Sequence, residues 1–226
     1  MTTSSLRRAM RQSLRAAPIR RRAAWLLGTA VLAAGCAGLG GDDPASDARV
    51  AAVLKDSFSA RGEARLDRLD QSELQLACSQ SAASGQPLPQ ARREALQKAA
   101  LDAVRYPADG RWLGDWREGE RIAQNGRGLQ FSDAPGTVAG GNCYACHQLA
   151  PQELSFGNIG PSLLHYGKYR GQSEPILRYT WARLWNAHAF NACNAMPRYG
   201  AAGILSEDQI RHLMALLLDP ASPVNR

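Results

Sequence analysis

One pentapeptide constrains this chain more than any other feature: Cys143, Tyr144, Ala145, Cys146 and His147, in the run GGNCYACHQL. With five cysteines and four histidines in 226 residues, Cys-x-x-Cys-His should arise by chance only about 0.002 times. The two thiols and the imidazole must be presented together from a short turn, and the rest of the chain must build a surround for whatever they hold.

Three assignments compete. Zinc asks for two further ligands at matching spacing, and the sequence has no second Cys-x-x-Cys. A thioredoxin-like redox pair asks for a βαβ setting, which this helix-rich pattern does not offer. Two idle thiols side by side serve little structural purpose in an exported protein. The remaining chemistry is covalent haem c: Cys143 and Cys146 form thioethers with the two vinyl groups, and His147 reaches the iron from the proximal side. One haem c is therefore the expected cofactor.

A six-coordinate iron needs a second axial ligand. Met196, in NAMPRYG, is expected to supply it, because Pro197 keeps its segment out of helix and thioether ligation suits an electron carrier. His188 is the rival ligand. Met214 falls on the apolar side of a helix and reads as core, whereas His165 and His212 read as surface or structural residues. Of the other cysteines, Cys78 and Cys193 are expected to pair as a disulfide; a reactive thiol is the competing reading, with no neighbour that obviously lowers a thiol pKa.

The N-terminus carries an address. Residues 1–35 hold seven arginines and no acidic residue, followed by the uncharged apolar run AAWLLGTAVLAAG, too short to span a bilayer and ordered like a secretory signal. LAAGC has the form of a lipoprotein processing site with Cys36 as acceptor, although Ala33 stands where Leu is usual; ordinary cleavage nearby is the alternative, and Met10 is a second candidate start. The expected location is the periplasm, with tethering through lipidated Cys36. Seven of the 27 basic residues lie in this leader, which leaves 20 against 20 acidic ones in residues 36–226. The basic excess therefore belongs to the leader and gives no reason to expect a nucleic-acid partner.

Beyond the leader, residues 36–48 read as a Gly-rich flexible tether and residues 49–105 as a helical extension broken at GQPLP. Residues 106–226 hold the motif, with helices expected at Gly114–Asn125, Glu174–Ala189 (capped by Ser173) and from a Ser206/Gln209 capping box to Leu218. No segment alternates convincingly, so the expected fold class is all-α.

The order of helix, Cys-x-x-Cys-His, GNIGPSL, MPRYG and capped terminal helix resembles class I cytochromes c. This implies a class I cytochrome c fold with an N-terminal helical extension, and puts on Pro161 the carbonyl that receives the proximal histidine proton. Within that class, GNCYACH, GNIGPSLLHYGKYRG, MPRYG and LLDPASPVN are similar to the SoxX family, the monohaem subunits of SoxAX complexes in bacterial thiosulfate oxidation. The likeness covers roughly residues 105–225. It implies a heterodimer with a SoxA-like haem protein and a complex that oxidatively couples thiosulfate to the SoxYZ carrier cysteine, as an L-cysteine S-thiosulfotransferase. A downstream cytochrome c would accept the electrons. This chain would be the electron relay, with no catalytic residue and no activity alone. The alternative expectation is a stand-alone periplasmic electron-carrier cytochrome c. The near-neutral charge beyond the leader argues against a carrier that depends on strong electrostatic steering.

Overall fold

The computed structural model describes residues 44–226, with side chains from residue 48; the leader, Cys36 and most of the tether lie outside them. The described chain is all-α. Its seven helices are α1 (Pro44–Ser57), α2 (Glu73–Ser84), α3 (Gln90–Asp102), α4 (Trp116–Gln124), α5 (Tyr166–Arg170), α6 (Glu174–Trp185) and α7 (Glu207–Leu218). The only pairing of strand type among the described residues is one isolated bridge between Arg61 and Ala64. Residues Ala48–Arg226 form one compact unit, so the extension packs with the motif-bearing part rather than standing apart. The helix α1 takes in residues 44–48, part of the segment that reads as a tether in the sequence.

The segment α7 forms as its residues dictate. Ser206 Oγ accepts from Gln209 N–H at 3.2 Å, and Gln209 Oε1 accepts from Ser206 N–H at 2.9 Å. From Leu213 onward all its residues are buried. Each such leucine contributes about 1.5–3 kcal/mol relative to exposure. Crossing it, α4 presents Gly119 and Ala123. A Cβ on Gly119 would lie 2.2 Å from the His212 carbonyl oxygen, so the two backbones approach as only glycine permits.

An aromatic ladder begins just beyond the extension. Tyr106 meets Trp112 edge-on with centroids 6.0 Å apart, Trp112 meets Trp181 at 5.9 Å, and Trp181 stacks on Trp185 at 6.3 Å. The fully buried Trp181 donates its indole N–H to the Arg105 carbonyl at 2.7 Å. At the other end, Asn225 accepts from Gly167 N–H and Lys168 N–H and donates to the carbonyls of Leu217 and Asp219, which locks the terminal turn onto α5 and α7.

Two expectations about α6 need correction. It ends at Trp185, because Asn186 is extended and its side chain accepts from His188 N–H, starting a separate 3-10 turn over Ala187–Ala189. Ser173 sits at its N-cap with suitable dihedrals but makes no side-chain capping bond, and Pro175 occupies the first turn.

Candidate functional site

Asn142 adopts a left-handed conformation with φ 45°, and Cys143–Ala145 then form a 3-10 turn closed by Cys146 N–H to Cys143 O at 3.1 Å and His147 N–H to Cys143 O at 2.9 Å. This turn brings both thiols and the imidazole out together. Cys143 and Cys146 are free thiols, each partly buried. Burial pushes the Cys143 thiol up to about 12.

The imidazole is oriented from behind. His147 Nδ1–H donates to the Pro161 carbonyl at 2.8 Å, which fixes the tautomer that leaves Nε2 with a free lone pair. The loop carrying Pro161 runs against the motif: Gly157 N–H donates to Tyr144 O and Gly160 N–H to Cys146 O, both at 2.8 Å. Glycine is required twice here. A Cβ on Gly157 would fall 1.8 Å from the Ala145 carbonyl oxygen, and one on Gly160 would fall 2.1 Å from His147 Cε1.

The methionine segment packs against the same core. Met196 and Cys143 both pack against the main apolar cluster. Met196 N–H donates to Asn194 Oδ1 at 2.7 Å, and Tyr199 donates its buried hydroxyl to the Gly141 carbonyl at 2.5 Å, linking this loop to the residues just before Cys143. Burial pushes the Tyr199 phenol well above its usual range, with the two neighbouring cysteines adding to the effect. Gly200 and Ala201 both donate to the Trp185 carbonyl, and the Trp185 ring lies where a Gly200 side chain would be.

The remaining expected residues are placed as follows. Cys78 and Cys193 are joined in a disulfide with Cα atoms 5.5 Å apart. His188 is buried and donates Nε2–H to the Asn194 carbonyl at 3.0 Å; desolvation holds it below the usual imidazole range, helped by nearby Arg198. Met214 is fully buried core. His212 accepts from Asp115 N–H at 2.9 Å and so supports the start of α4. His165 meets Tyr169 edge-on. Sequence reasoning did not single out Gly157, Gly160 or Tyr199; the Gly-Pro step at 160–161 and the Pro-Arg-Tyr-Gly run are the signals that could have found them.

These side chains fit the expected haem c. Two unpaired thiols are offered from one turn, the imidazole is held with Nε2 free, and a thioether sits on a non-helical loop attached to the same core. Among the described residues no group of three or more His, Cys, Asp or Glu converges as an ion-binding set.

No family model matches the chain. It is 38% identical over 126 residues to a protein of Aquifex aeolicus (strain VF5) described as an uncharacterized lipoprotein. That match takes in 54% of this chain and 58% of the relative, so the chain spans little more than half the length of the protein it matches. Among the described residues no helix is long and apolar enough to cross a membrane.

Proposed function

We propose that the protein is a monohaem c-type cytochrome that serves as the electron-relay subunit of a SoxAX-type complex, held at the membrane on the periplasmic side through lipidated Cys36. The observation that carries the haem reading is the orientation of His147 by Pro161 directly behind two unpaired thiols. The assignment to SoxAX rests on the resemblance of residues 105–225, and the lipoprotein relative supports the anchor. Cys143 and Cys146 would hold the group covalently, and His147 and Met196 would be the side chains that ligate it.

Bound there, haem would supply reversible one-electron transfer at iron. The chain's own residues do the rest. Pro161 keeps the proton on His147 Nδ1, Gly160 leaves room for the ring, and Tyr199 and Trp185 hold the methionine loop against the core.

The test is purification of the tagged protein from its own membrane fraction with identification of what accompanies it. Equimolar recovery of a second haem protein, with haem reduction on adding thiosulfate and a SoxYZ-type carrier, is the expected result. A solitary haem protein that exchanges electrons but ignores thiosulfate would leave the stand-alone carrier.

A further inference from the structure

The helical extension is fastened to the methionine loop on both sides of Met196. Three residues before it, Cys193 is bonded to Cys78 of α2. Two residues after it, Arg198 donates to Gln75 Oε1 of the same helix at 3.4 Å. Gln75 is itself fixed, since its side chain completes the α2 capping box with Ser72. Inside this span a third hold acts at Asn194: His188 donates to the Asn194 carbonyl, while Asn194 Oδ1 accepts from Met196 N–H. The turn carrying His188 packs in turn against α3. A loop of Asn, Ala, Pro and Gly has little propensity to hold one conformation unaided, and here two of its constraints come from α2, 115 and 123 residues earlier in the chain.

We propose that α2 and α3 form a clamp that positions Met196, with Cys78, Cys193 and His188 as positioning residues for the sixth ligand of the haem iron. The ligand part of this inference rests on the reading of Met196 given above; the clamping of the loop does not.

The clamp is tested on the full-length, membrane-extracted protein with a C78S/C193S double variant, which removes the bond without leaving an odd thiol. Backbone hydrogen exchange is read in two places, residues 190–203 and the α4–α7 pair. In the double variant, exchange in 190–203 should accelerate at least tenfold while α4 and α7 keep their protection. In the haem-loaded form the weak red absorption band of thioether-ligated ferric haem should fade, and added imidazole should bind at least tenfold more tightly. Where the double variant does not accumulate, the same exchange is measured on folded wild type after reduction with a dithiol. His188→Gln, which can still donate to the Asn194 carbonyl, should retain the band, whereas His188→Leu should weaken it. Unchanged exchange in 190–203 after loss of the disulfide would overturn the clamp. Accelerated exchange in a wild type that binds no haem, or in one whose band is indifferent to Met196→Leu, would keep the clamp and overturn the ligand reading instead.

Discussion

The imidazole of His147 owes its pose to a residue with no side chain. At Gly160 a Cβ would overlap the ring at 2.1 Å, so Gly160→Ala must push His147 away from Pro161 or displace the loop. Such overpacking costs about 1–3 kcal/mol. Gly160→Ala should lower the thermal midpoint and sharply reduce the yield of haem-bearing protein; an unaltered yield would show that this contact does not orient the ligand. His188 gives a pH signature. Its folded-state pKa is depressed by burial, so the unfolded chain takes up a proton first, near pH 6.5. The stability this contributes is complete above that value and is lost as pH falls towards the lower folded-state pKa. Denaturant midpoints measured from pH 7.5 down to 5 should therefore fall more in wild type than in His188→Gln, and parallel curves would contradict the burial argument.

Among the elements, α4 and α7 depend on their crossing. Gly119 lies where any side chain would strike the His212 carbonyl and Leu216 Cβ, so Gly119→Ala should destabilise by about 1–3 kcal/mol, read as a lower urea midpoint with helix content otherwise preserved. Elements were legible in the sequence where local chemistry decides them. Ser206 and Gln209 announce α7, Gly85 stops α2 in a left-handed C-cap, and Pro197 keeps the methionine segment irregular. The end of α6 was not legible, because an apolar stripe continues to Ala189 while one side chain, Asn186, captures the His188 amide. Ser173 likewise has the right identity for a cap and does not use it.

At the scale of the whole molecule, the site draws on distant parts of the chain. The Cys-x-x-Cys-His turn stands out in the sequence by its spacing, and Cys78 and Cys193 as the thiols left over, which the structure joins. What surrounds them could not be read, because it depends on approaches between segments that no local pattern encodes: Tyr199 to Gly141, Gln209 Nε2 to Ala139 O, and Gly160 to the His147 ring. The exposed apolar face of α1, with Val50, Val53 and Leu54 open to solvent, has no counterpart in the described unit.

Covalent attachment of haem to one turn is the claim on which the rest depends. Mass spectrometry of the peptide containing residues 140–149, from protein made in a host able to attach haem, tests it most directly. The account predicts this peptide with one haem added across Cys143 and Cys146, and a C143S/C146S variant that is exported but carries no covalent haem. Recovery of the wild-type peptide as free thiols or as a Cys143–Cys146 disulfide, with no haem mass, would contradict it.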